Sequence, residues 1–335
     1  MRTLMLYFLG LTVSACAGHK QPADARLELE VPAHVVADAR FALACAAETA
    51  RGAWEDWSPG SVPFVLVYPD EQWVFRAAAA PAGYDPRPIS SELGPAYRAP
   101  SWTQYDGARV TFPQQFFASA DSFDGALTFT IAAPSVAPFL VADWATVFAH
   151  EYFHTFQMTQ KGWAADLPWI APLHRRRLAE LHRDEPAIRE SVSRELSAYA
   201  SLLQAIHAGG ALDWEALGEL AQLRRERSLV LSKIDPNLPR AERALERFEG
   251  IARYVEESAY ENGAVALHFQ GREPGWKQTA WPDRLKRSLG VSEGEYFYAT
   301  GNALARILDV CHPGWKRMHE GQDLLELSLS ARAKK

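Results

Sequence analysis

The chain contains His150-Glu151-Tyr152-Phe153-His154 within the helix-compatible run from Trp144 to Phe156, and this pentad restricts both the fold and the chemistry. Four-residue spacing puts the two imidazoles on one helix face, where they can grip one metal ion, while Glu151, one step round, reaches a water on that metal. Val147, Phe148, Tyr152, Phe153 and Phe156 are apolar, so the helix is expected to be buried. Two buried imidazoles beside a carboxylate are costly without a metal. The pattern predicts a hydrolase in which Zn2+ activates a water, with His150 and His154 as ligands and Glu151 as general base.

After Pro32 a helix-like pattern of Ala, Val and Phe runs to Trp57 and the turn Ser58-Pro59-Gly60. Pro63 to Tyr68 reads as a short strand bounded by prolines. The stretch from Ala77 to Pro100, rich in Ala, Pro, Gly and Ser, reads as a long loop, and strand-like runs follow at Ala108 to Phe112 and Leu127 to Ala132. Beyond His154 the periodicity turns helical, with helices expected at Ile188 to His207, Trp214 to Ile234, Arg240 to Glu257 and after Gly301. Strands first and helices afterwards describe an α+β protein. A small N-terminal mixed sheet belongs to an α/β lobe over residues 32–143, and a mostly helical lobe over 144–330 begins with the pentad helix and carries the metal site. The basic cluster His174-Arg175-Arg176-Arg177 stands among acidic residues and reads as a solvated helix face.

The N-terminus has a charged start at Arg2, an apolar stretch from Leu4 to Val13, and small residues before Cys16, the layout of a secretory signal too short to span a bilayer. With a cysteine at the cut it resembles a bacterial lipoprotein signal over residues 1–16. That resemblance implies a Cys16 acylated at the mature N-terminus, a tether over 17–31, and a place in the cell envelope. Ala17 after the cysteine implies the outer membrane, facing the periplasm or the exterior. About 320 residues then remain, enough for a large core. No second stretch approaches membrane-spanning length, so the lipid would be the membrane anchor. The net charge of −6 argues against a nucleic-acid partner. Cys45 and Cys311 lie in apolar helix-like segments, where a disulfide and two buried thiols are both open. The oligomeric state is not constrained.

A catalytic zinc needs three protein ligands and one open position, and no further His follows the pentad at the spacing that would supply the third. A carboxylate is required. Two lie on apolar helix stripes: Glu195, which shares a face with Val192, Tyr199 and Leu202, and Glu249, which shares one with Leu245, Ala252 and Glu256.

The run Glu249-Gly250-Ile251-Ala252-Arg253-Tyr254 resembles the Glu-Gly-Phe-Ala-x-Tyr segment of gluzincin metallopeptidases of the aminopeptidase N type, in the peptidase MA superfamily. Tyr298-Ala299-Thr300-Gly301-Asn302 resembles their Tyr-x-Lys-Gly-Ala helix start, with Thr300 in place of the Lys. The resemblance implies a zincin-like fold, Glu249 as third zinc ligand, and Tyr298 as hydrogen-bond donor to the oxyanion of a tetrahedral intermediate. Glu195 stays as an alternative third ligand, as a carboxylate that orients a ligand, or as the partner of Arg194 or another basic side chain. Gly250, lacking a side chain, is expected to let the ligand helix approach the metal helix closely. Leu127 to Ile131 resembles the edge strand on which such peptidases lay an extended substrate. The segment between His154 and Glu249 is far longer than in those aminopeptidases, and their Gly-x-Met-Glu-Asn signature is absent, so aminopeptidase specificity is not implied. The expected activity is zinc-dependent hydrolysis of peptides or proteins. Two alternatives are a catalytically weak or inactive zincin-fold lipoprotein that binds a peptide or wall component, and a zinc hydrolase of a non-peptide ester or amide.

Overall fold

A computed structural model describes residues 30–60, 62–87, 92–100, 118–123, 126–138, 140–262, 264–265, 281–319 and 321–332. The signal and Cys16, most of the tether, and the strand expected at Ala108 to Phe112 lie outside the described residues. The fold is α+β: one small mixed sheet and a larger helical part.

Helix α1 (Ala33–Ala53) precedes six strands: β1 (Phe64–Val67), β2 (Glu71–Phe75), β3 (Asp85–Arg87), β4 (Ala96–Pro100), β5 (Ala118–Phe123) and β6 (Ala126–Ala132). Their order is β3-β4-β2-β1-β6-β5, with β1 and β6 parallel and the other pairs antiparallel. Two expectations are corrected here. Ala77 to Pro100 is not one long loop, since it holds β3 and β4, and the prolines that suggested a loop sit where a sheet tolerates them: Pro86 on the edge strand and Pro100 at a strand end. Leu127 to Ile131 is not an edge strand. It belongs to β6, which is paired on both sides, and among the described residues β5 is the outer strand there.

The pentad lies on α2 (Val141–Thr159), as its spacing required. Helices α3 (Trp163–Asp166), α4 (Pro172–Asp184), α5 (Pro186–His207), α6 (Trp214–Ile234) and α7 (Leu238–Leu245) follow. Proline begins α4 and α5 and stands in the first turn of α7, where its missing N–H costs no helical hydrogen bond. Asp213 caps α6 by accepting from the amides of Glu215 and Ala216. The helix expected over Arg240 to Glu257 is three pieces: α7, a π-helical turn (Glu246–Gly250) and α8 (Ile251–Glu261). Then come α9 (Trp281–Ser288), α10 (Phe297–Cys311) and α11 (Leu324–Ser330). The last long helix therefore starts at Phe297, so that Tyr298 and Gly301 both lie in its first turns.

Helix periodicity explains how α2 serves two purposes. Phe148 and Tyr152 face the sheet, where Phe148 meets Phe129 and Phe64 edge-on with ring centroids 4.9 and 5.4 Å apart. His150 is two residues on, about 200° round the helix, and so looks away from the sheet toward α8. Trp144 donates from its indole nitrogen to the Ala132 carbonyl at 2.8 Å, tying the start of α2 to the end of β6. The main hydrophobic core joins α1, the sheet, α2, α8 and α10 into one body that crosses the boundary at residue 143. A second cluster holds Leu178, Val192, Leu231, Leu245 and Phe297 between α4, α5, α6, α7 and α10. Cys45 and Cys311 are both buried and are not joined to each other by a disulfide.

Candidate metal centre

His150, His154 and Glu249 converge, each with one donor atom within 4.8 Å of the others. Glu249 Oε2 lies 3.6 Å from His150 Nε2 and 3.3 Å from His154 Nε2. A tetrahedral ion with bonds of about 2.1 Å separates its ligand atoms by about 3.4 Å, close to both spacings from Glu249 Oε2 to the imidazole nitrogens. The imidazole rings stand at 85° with centroids 4.6 Å apart, and both Nε2 atoms face Glu249 Oε2. All three residues are buried.

Each imidazole is held by its other nitrogen. His150 Nδ1 meets Glu256 Oε2 at 3.1 Å. His154 Nδ1 meets Gln157 Oε1 at 2.8 Å, and Gln157 in turn donates to the carbonyls of Arg247 and Phe248 at 3.0 and 3.1 Å. Such partners fix ring orientation and tautomer in metal sites. Glu256 was visible in the sequence on the Glu249 face, but its partner could not be read there. Gln157, three residues after His154, carries no local signal of its role. Phe248 stacks on the His154 ring at 3.8 Å and closes that side.

The electrostatics suit a cation. Burial opposes a charged imidazolium at His150, yet Glu249 and Glu256 outweigh it and raise its pKa to about 9, so positive charge is welcome at the nitrogen a metal would use. Burial likewise opposes ionisation of Glu256, but Arg253 and His150 hold its carboxyl down to about 2. Glu249 is held well below the ordinary range, against burial, by both imidazoles and Arg175. Glu151 differs: burial raises its pKa, and the neighbouring imidazoles only temper the rise. A carboxyl so placed is a better proton acceptor than a free one.

Glu249 rides on the π-helical turn, a local widening that often marks functional positions. Gly250 does permit a close approach, but the neighbour is α10 rather than the metal helix. A Cβ at Gly250 would fall on Gly301 Cα and 2.9 Å from the Phe297 carbonyl oxygen. This contact brings Tyr298 to the centre. Its ring stacks over His150 at 28° with centroids 6.0 Å apart, and burial followed by the charge of Glu249 raises its pKa well above the ordinary value, keeping the phenol a donor.

At this site one sequence expectation is corrected and one open choice is narrowed. Arg175 does not belong to a solvated face. It turns inward from α4 and donates to Glu249 Oε1 at 2.9 Å, to Glu295 Oε1 and Oε2 at 2.6 and 2.9 Å, and to the Tyr298 hydroxyl at 2.8 Å, whereas Arg176 and Arg177 pair with Glu180. Of the readings left open for Glu195, pairing with a basic side chain is the one the structure bears out, the partners being Arg227 and Arg224 rather than Arg194. Glu195 is fully buried among Arg227 at 2.5 Å, Arg224 at 3.3 Å and the Tyr199 hydroxyl at 2.9 Å. That network continues through Glu242, bound by Arg227 and Tyr296, to Glu246, bound by Arg224 and Thr300.

Three carboxylates share two guanidiniums there, and the surplus falls on Glu246: burial raises its pKa from 4.5 to about 7, against the pull of Arg224. A carboxyl whose pKa is raised by folding stabilises fully below its unfolded value and loses that contribution as pH climbs through the folded value. The melting temperature of the chain is therefore expected to fall between pH 5 and pH 8, and Glu246→Gln to flatten that fall. Equal slopes in the two proteins would remove Glu246 as its source.

Fold and site together define an α+β protein with a three-residue candidate metal centre backed by a buried acid, a tyrosine and an arginine. No protein-family model, no curated protein and no solved structure matches this chain.

Proposed function

We propose that the chain is a zinc-dependent metallopeptidase on a zincin-like scaffold, with His150, His154 and Glu249 as ligands. The observation that carries this reading is the convergence of two Nε2 atoms and one carboxylate oxygen at near-tetrahedral spacing beside a fourth group, Glu151, that is not a ligand. A purely structural zinc would have a fourth protein ligand and no use for that acid. Zinc held there supplies Lewis-acid polarisation of a water and of a substrate carbonyl.

The remaining work falls to the chain's own residues. Glu151 accepts the proton of the attacking water and returns it to the leaving amine, a role suited to a carboxyl whose pKa burial has raised. Tyr298 donates its phenolic hydrogen to the oxygen on which charge develops. Strand β5, the outer strand beside β6, offers backbone groups to an extended peptide, and because such pairing reads no side chains it favours breadth over sequence preference.

The purified chain is expected to hold one zinc ion and to cleave a peptide library in a chelator-sensitive, zinc-restorable way, with a fluorogenic ester run in parallel. Failure to retain metal, or cleavage indifferent to the chelator, would end this reading. Turnover of the ester alone would move the substrate class from peptides to esters.

A further inference from the structure

Glu249 has two oxygens, and the structure gives them different duties. Oε2 faces both imidazole Nε2 atoms, while Oε1 accepts from Arg175 Nη1 at 2.9 Å. A carboxylate free to turn about its last torsion could present both oxygens to one cation beside its water, raising the centre from four- to five-coordinate and crowding the corner that a substrate oxygen needs. Arg175 opposes that turn. It also acts on Tyr298, because Nη2 donates to the phenolic oxygen at 2.8 Å and so occupies a lone pair, leaving the O–H to donate. Arg175 is itself held as a rigid fork by both oxygens of Glu295, at 2.6 and 2.9 Å. Its guanidinium thus has its plane fixed on one side and spends its other hydrogens on a ligand and on the oxyanion donor, a geometry that the point charge of a lysine does not reproduce.

We propose that Arg175, anchored by Glu295, is a positioning residue that keeps Glu249 a one-oxygen ligand and Tyr298 a directed hydrogen-bond donor, so that the centre retains an open corner. The proposal rests on reading the site as a metal centre.

Cobalt(II) replaces zinc as the probe, because its visible absorption is intense when four-coordinate and weaker when five-coordinate. The wild-type chain, Arg175→Ala, Arg175→Lys and Glu295→Gln are titrated with cobalt, and kcat and KM are measured on one peptide substrate. Wild type is expected to give the intense spectrum. Both Arg175 variants should bind cobalt with the weaker one and lose about 10²-fold in kcat with KM little changed, as a displacement of about 1 Å at a reacting centre does. Glu295→Gln should fall between. Millimolar methylguanidinium should restore part of the Arg175→Ala activity, and Lys should not rescue it. Wild-type spectra and kcat in all three variants would overturn the proposal and leave Arg175 an ordinary ion pair. Should Arg175→Ala fail to fold, Arg175→Lys and Glu295→Gln decide alone by the same readouts. A wild-type chain that binds no cobalt would instead count against the metal centre itself.

Discussion

Glu151→Gln is expected to leave the chain folded and able to bind zinc while lowering kcat by roughly 10³- to 10⁴-fold, the upper part of what a positioned proton acceptor contributes. Gln has the shape of Glu and removes no donor from the set of His150, His154 and Glu249, so metal content should be unchanged. What it removes is basicity, at a buried carboxyl lying beside both imidazoles. Metal content per chain and kcat, measured on the same preparation, separate the two effects. Turnover near the wild-type rate would place the base elsewhere, and loss of metal together with activity would mean that Glu151 supports the centre rather than the proton transfer.

Gly301→Ala should cost about 3 kcal/mol or more, for a different reason. In α10 a Cβ at this position would fall on the Glu246 carbonyl oxygen and 2.8 Å from Gly250 Cα. Both neighbours are backbone, so no side chain can swing aside, and the helices must part against a packed core. For a chain of this size, with about 2.1 cal/mol/K of unfolding entropy per residue, the melting temperature should drop by roughly 4 °C or more. The Gly250–Gly301 contact also sets the distance between Glu249 and Tyr298, so the variant should bind zinc more weakly even where it remains folded. Gly218, on the exposed side of α6 with open space around it, is the control: Gly218→Ala should leave zinc binding as in wild type. A Gly301→Ala chain that melts and binds zinc like wild type would show that the helices do not touch there.

How much of this could be read before folding varied residue by residue. The α+β plan, the pentad helix and the spans of α5 and α6 were legible because they depend on periods of a few residues, on proline and on capping groups such as Asp213. The strands inside the Ala77 to Pro100 stretch were not, since β4 becomes strand by pairing with β2 and β3 by pairing with β4, and an edge position admits the proline that argued against them. Glu195 and Glu249 sit on equally apolar stripes, and periodicity does not distinguish them; only the resemblance carried by Glu249-Gly250-Ile251-Ala252-Arg253-Tyr254 favoured Glu249. One is neutralised by two arginines from the neighbouring helix α6 and the other by two imidazoles from α2.

Arg175 makes the same point. As part of His174-Arg175-Arg176-Arg177 it has the sequence of a solvated charge run, and two of its neighbours behave so. Arg175 alone turns inward because α4 packs so that this one side chain meets Glu295 and Glu249, far along the chain.

What the sequence by itself determined is the local chemistry: two imidazoles and an acid on one short stretch of helix, because four-residue spacing and helical pitch place them together wherever that helix lies. Only the tertiary structure brought Glu249 rather than Glu195 to the two imidazoles, and decided which carboxylate and amide hold those rings and that an arginine joins Glu249 to the Tyr298 phenol. Those choices depend on through-space distances between segments far apart in the chain, and such distances exist only once the cores around α2, α8 and α10 have packed.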